Sequence, residues 1–193
     1  LGSQREWLSS TCVDGCASLL KQQFSDSTVH IVIFSSYVAD SFRANSEGET
    51  LWRLTEHTKF WEKTIWILPV HHQNHWVLGL VDTTALKIVV FDSLGHPETC
   101  EVVANQLIHK IVVKLQTLAS QTHTHAAPLS SWVGHPSSLK TLQTDTYNCG
   151  VWILACMVAI LSGKSSIDAT EDEIKQFRYW LFVEAFSLPT SRS

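Results

Sequence analysis

The middle of the chain constrains it most. Thr64-Ile-Trp-Ile-Leu-Pro69, His75-Trp-Val-Leu-Gly-Leu-Val-Asp82 and Leu86-Lys-Ile-Val-Val-Phe-Asp92 are mostly apolar runs in close succession. Each reads as a strand, and the first is expected to end at Pro69, because proline cannot donate to a ladder. Thr83-Thr-Ala85 leaves room only for a turn, so the second and third runs form an antiparallel hairpin. Both are apolar on both faces, so helices must cover the sheet on each side.

The flanks supply those helices. Residues 5–24 read as helical: a first turn over 7–10, then a helix capped at Ser10 or Thr11, with Val13, Ala17, Leu20 and Phe24 at helical spacing. Residues 29–34 read as extended, and 48–61 as a helix burying Leu51, Leu54 and Phe60. A long helix is expected over 98–118, loop over 120–141, an apolar helix over 149–161 and a last helix over 170–186 with an acidic start. The sum is an α+β fold, a small mixed sheet packed between helices. Leu1-Gly2-Ser3 reads as the remnant of a cleaved tag, which leaves 4–193 as one domain.

Composition narrows the function classes. The chain has 193 residues, 45% hydrophobic and 17% charged, enough for a real core. A net charge of -4 makes no case for binding nucleic acid or an anionic membrane. No apolar run is long enough to span a bilayer, and the N-terminus lacks a signal-peptide pattern. The five cysteines form no framework of close pairs, which points to an intracellular setting, cytoplasm or nucleus.

One constellation carries chemistry. A thiol attacks an amide carbonyl as thiolate, so it needs a base, a group orienting that base, and donors for the oxyanion. Cys149 opens the apolar helix, where unpaired amides and the dipole favour an anion. Gly150 after it lets a substrate backbone approach the sulfur. His75 begins one hairpin strand and Asp92 ends the other, so antiparallel pairing puts them at the same edge of the sheet. Gln143, in the loop entering the Cys149 helix, is the candidate side-chain oxyanion donor, beside the Cys149 N–H. Taken singly, each has a plainer reading: a buried structural cysteine, a strand-entrance histidine, a turn aspartate, a solvated loop glutamine.

Together these residues resemble the ubiquitin-like-protein-specific protease family, the SUMO (sentrin) proteases. The resemblance rests on the order His75, Asp92, Gln143, Cys149. It rests also on His75-Trp76, Phe91-Asp92-Ser93-Leu94-Gly95 and Cys149-Gly150-Val151. It implies a papain-like fold and hydrolysis after a C-terminal Gly-Gly, at a precursor's peptide bond or an isopeptide bond to lysine. It implies no cofactor, a monomer, and SUMO, ubiquitin or another ubiquitin-like protein as substrate. It also implies that Trp7 and Trp76 wall a narrow tunnel around the Gly-Gly. Two positions depart from the family pattern. Asn148 replaces the aspartate usual before the nucleophile, keeping its shape and losing its charge. Ser10 stands where the family often has an acid that pairs with an arginine of SUMO, which makes ubiquitin a live alternative.

Three rivals remain from the sequence. A zinc hydrolase would use His71 and His75, or His123, His125 and His135, with Cys12 and Cys16 as further ligands. But no glutamate follows His71, and Pro69 argues against a helix there, so no metal is expected. A binding module would hold a Gly-Gly protein without cutting it. An acyltransferase on the same fold would need an acyl-donor pocket and a basic cluster, and the latter is not evident.

Overall fold

The computed structural model describes residues 5–24, 30–44, 48–122, 133–136, 141–164 and 166–187. A five-stranded sheet in the order β1-β2-β3-β4-β5 forms the middle layer. Its strands are β1 (Ile31–Ile33), β2 (Ile65–His72), β3 (His75–Asp82), β4 (Lys87–Phe91) and β5 (Val133–Pro136). β3 runs antiparallel to both β2 and β4, and β1 and β5 pair parallel at the two edges. The sheet is therefore mixed, as expected.

Side-chain alternation splits the core in two. Trp66, Leu68, Val70, Val77, Val81, Ile88 and Val90 face one side. There they meet α2 (Tyr37–Arg43), α3 (Gly48–Thr55) and the helix that begins with α4 (Pro97–Val102). That helix passes through a π segment, Val103–Ile108, and continues as α5 (His109–Thr122). Ile67, Trp76 and Leu78 face the other side. Here they pack on α1 (Ser10–Gln23), α6 (Cys149–Leu161) and α7 (Glu171–Ser187). α6 is apolar all round because the sheet, α1 and α7 cover most of its surface, leaving Ala155, Cys156, Val158 and Ile160 half-buried.

Four expectations need correction. β2 does not stop at Pro69 but runs through it to His72. Ile65 N–H and Ile67 C=O both bond toward the β1 side, so Pro69, two residues on, has its nitrogen on that side too. β1 has ended by then, pairing no further than Ile67, and the missing N–H breaks no ladder bond. The second correction is at the N-terminus. Residues 5–9 are not helical, and the cap of α1 is Ser9, whose hydroxyl accepts the Cys12 N–H at 3.3 Å. Third, the helix expected over 48–61 ends at Thr55 and is followed by two 3₁₀ turns. Fourth, α2 and β5 were not expected, and β5 lies in the span read as loop. α7 begins as a capping box: Glu173 accepts from Thr170 N–H while the Thr170 hydroxyl accepts from Glu173 N–H.

Candidate active site

A two-residue turn sets the histidine. Gln73 and Asn74 both adopt positive φ, 48° and 60°, and His72 pairs directly with His75 across them. Such a turn matches the twist of the flanking strands and starts β3 at His75. β4 returns antiparallel and ends at Phe91, so Asp92 arrives beside His75. His75 Nε2 and Asp92 Oδ1 are 2.6 Å apart.

Asp92 is buried and fully engaged. Besides His75 it accepts the N–H of Leu94 at 2.9 Å and of His96 at 3.0 Å. Burial alone would raise its pKa, but these bonds and the imidazolium hold the carboxyl below the usual range. For His75 burial alone lowers the pKa. The hydrogen bond to Asp92, another to the Cys149 thiol and the charge of both overcome it, raising His75 to about 9. With Nε2 on Asp92, the other ring nitrogen is left for the thiol. Cys149 is the first residue of α6, so its N–H has no intrahelical acceptor. The three groups therefore converge from a strand start, a strand end and a helix start.

Gln143 is buried next to them, but its amide is already engaged. Its Oε1 accepts from the Ser93 hydroxyl at 2.7 Å, and its Nε2 donates to Asp145 O at 2.7 Å and Asp145 Oδ1 at 3.1 Å. Ser93 O also accepts the N–H groups of Leu142 and Gln143. Gln143 thus ties the end of β4 to the loop entering α6, and neither of its N–H groups is free for an oxyanion in this geometry.

Three further expectations change. Gly150 was expected to make room for substrate, but the space before it belongs to Leu8: an added Cβ would lie 3.1 Å from Leu8 Cβ. Asn148 was expected at the substrate, yet it is 1% exposed and bonded at both ends of its amide. Its Nδ2 donates to Asp145 Oδ2 at 2.7 Å and its Oδ1 accepts from Arg178 Nη1 at 3.0 Å. Trp76 was expected to wall a tunnel with Trp7. Instead it is 2% exposed, and its indole N–H donates to Leu8 O at 2.9 Å, pinning the N-terminal segment to β3. Trp7 is 48% exposed and is the only one of the pair offering a face to solvent. Ser10 is the half-buried first residue of α1, after the cap.

Sequence reasoning missed Asp145 and Arg178. Arg178, 2% exposed on α7, also donates through Nη2 to Glu6 O. An arginine on the buried face of a terminal helix was the available signal, since such a charge is seldom buried unpaired. Among the described residues no group of three His, Cys, Asp or Glu could hold a metal ion, and no helix is long and apolar enough to cross a membrane. His71 and His75 lie on strands, and His123 and His125 fall outside the described residues.

A mixed sheet between helices, with a cysteine at a helix start facing a histidine held by an aspartate, defines a cysteine protease domain. The chain belongs to the Ulp1 protease family, matching its C-terminal catalytic domain over residues 6–192. No curated protein matches the chain in sequence. Among solved structures it resembles the C-terminal Ulp1 protease domain in complex with Smt3, the yeast ortholog of SUMO. Identity there is 17%, with a TM-score of 0.67, over 96% of this chain and 79% of that one. The Chaetomium thermophilum Ulp1-like SUMO protease catalytic domain follows at 15% identity and TM-score 0.66, over 95% and 74%. The Xanthomonas campestris effector XopD bound to ubiquitin gives 15% and 0.60, over 91% of both chains.

Proposed function

We propose that this domain cleaves after the C-terminal Gly-Gly of SUMO or a related ubiquitin-like protein, with Cys149 as nucleophile, His75 as base and Asp92 as its orienting partner. The observation that carries the reading is the buried His75–Asp92 contact at 2.6 Å, with the Cys149 thiol as the histidine's other partner. Cys149 Sγ attacks the glycine carbonyl carbon, and its proton resides on His75. The oxyanion is received by the Cys149 N–H. Gln143 joins it by exchanging its longer bond, to Asp145 Oδ1, for the developing charge. As the C–N bond breaks, His75 gives its proton to the leaving amine. Water, deprotonated by His75, then hydrolyses the thioester and frees the thiol. The exposed Trp7 face covers the glycines, whose lack of side chains suits a narrow approach. The domain acts as a monomer, without cofactor or nucleic acid, and its free cysteines suit a reducing compartment.

A second reading, a deubiquitinase, is favoured by Ser10, which offers no charge at the N-terminal contact. The similarity to XopD, a structure bound to ubiquitin, supports the same reading. Fluorogenic SUMO and ubiquitin carrying a C-terminal leaving group separate the two. Turnover of either by the wild type, lost in Cys149→Ala, is the expected result, and the faster substrate names the modifier. Turnover of neither by folded protein overturns the proposal.

A further inference from the structure

Arg178, Asn148 and Asp145 meet in a line beneath the start of α6. A guanidinium only donates, an ionised carboxylate only accepts, and a primary amide does both. Arg178 therefore donates to Asn148 Oδ1, and Asn148 Nδ2 donates to Asp145 Oδ2, with no contact in conflict. The direction is fixed, because turning the amide over would set donor against donor at one end and acceptor against acceptor at the other. Asp145 Oδ1 meanwhile accepts the N–H groups of Tyr147 and Asn148 and the Gln143 amide. Among the described residues the buried Arg178 Nε has no hydrogen-bond partner, and the cation is held there through its two terminal nitrogens.

What the line holds matters for the reaction. Asn148 immediately precedes Cys149, and its carbonyl accepts the N–H groups of the third and fourth residues of α6, Val151 and Trp152, at 2.9 Å each. Asp145 holds Gln143, and Arg178 holds the carbonyl of Glu6, next to Trp7. We propose that Arg178, Asn148 and Asp145 form a one-way relay that positions the nucleophile, and that it requires one carboxylate shared between positions 145 and 148 rather than a carboxylate at either in particular. The inference rests on Cys149 being the nucleophile. Asp145, Asn148 and Arg178 are positioning residues, since none touches the reacting atoms.

The relay predicts a charge swap. In Asp145→Asn the two amides cannot satisfy both neighbours. In Asn148→Asp two carboxylates face each other across a 2.7 Å contact. In the double variant every group is matched again: the amide at 145 donates to the carboxylate at 148, which also accepts from Arg178.

Two readouts test it: the iodoacetamide labelling rate of Cys149, read by mass spectrometry without substrate, and kcat and KM on the preferred ubiquitin-like conjugate. Each single variant is expected to slow labelling and lower kcat roughly tenfold, as one mismatched buried group implies, with KM little changed. The double variant should return both close to wild type. Labelling that moves in opposite directions in the two singles would mean charge acting through space and would overturn the relay. So would singles that change nothing, or a folded double variant that stays slow. If a single variant fails to fold, the double variant decides alone, and it must fold and label like wild type. If the wild type cleaves no conjugate, the protease reading fails separately, while labelling still scores the relay.

Discussion

Replacing Asp92 by asparagine tests whether charge holds the catalytic histidine. His75 sits at about 9 in the folded protein against 6.5 unperturbed. That difference corresponds to about 3 kcal/mol favouring the imidazolium, and His75 is only 13% exposed, so water screens little of it. A raised folded pKa contributes stability that is complete below 6.5 and lost as pH rises through about 9. Asp92 has the opposite sign: its folded pKa lies below 3.8, so its contribution is present above 3.8 and lost as pH falls through the folded value. In Asp92→Asn, burial still pushes His75 down and only Cys149 opposes it. The midpoint is then expected to fall well below that of the wild type. The assay is an NMR titration of the His75 ring proton, assigned with His75→Gln, beside chemical unfolding at neutral and alkaline pH. The wild type should lose stability toward alkaline pH, and the variant should lose much less over that range. Turnover should fall by about 10²–10⁴, as when the orienting acid of such a triad is neutralised. A wild-type midpoint at or below 6.5, or one that the substitution leaves in place, would mean that the Asp92 charge does not hold the histidine.

Other expectations follow from the packing. Gly150→Ala presses on Leu8 Cβ, which cannot swing away, and should cost about 1–3 kcal/mol in denaturant titration and reduce turnover by loosening the Leu8–Trp76 bond. Gly79→Ala would put a Cβ 2.3 Å from Ile108 Cδ1, a side-chain end that can turn. It should cost about 1–2 kcal/mol with turnover kept, and Ile108→Val in the same chain should recover part of the loss. Burial pushes Cys16 and Cys100 up to about 11 and Cys156 up to about 12. Iodoacetamide near neutral pH should therefore label Cys149 before these three, as peptide mapping would show.

The sheet and the meeting of His75 with Asp92 were legible because period and pairing decide them. Two apolar strands joined by a three-residue link admit only an antiparallel hairpin, and a hairpin fixes which ends meet. α6 was legible because an unbroken apolar run ending at a glycine has few alternatives. Pro69 misled, because whether a missing N–H matters depends on where the neighbouring strand ends, which is a tertiary fact. The Gln73-Asn74 turn lacked the glycine that usually marks its type. The roles expected for Gly150, Asn148, Trp76 and Gln143 ran into Leu8, Arg178 and Asp145, partners distant in sequence or unremarkable alone. Asn148 shows the difference most clearly. As a lone departure from the family it read as a lost charge, whereas in place it is the amide between an acid and a base.

Everything proposed for this domain turns on Cys149 forming the covalent bond to a Gly-Gly terminus. The most direct test reacts the protein with SUMO and with ubiquitin bearing a thiol-reactive C-terminal group, then maps the adduct by mass spectrometry. A single adduct on Cys149 is expected, absent in Cys149→Ala and strongly slowed in His75→Gln. An adduct on Cys12, Cys16, Cys100 or Cys156, or none on folded protein with either modifier, would contradict it.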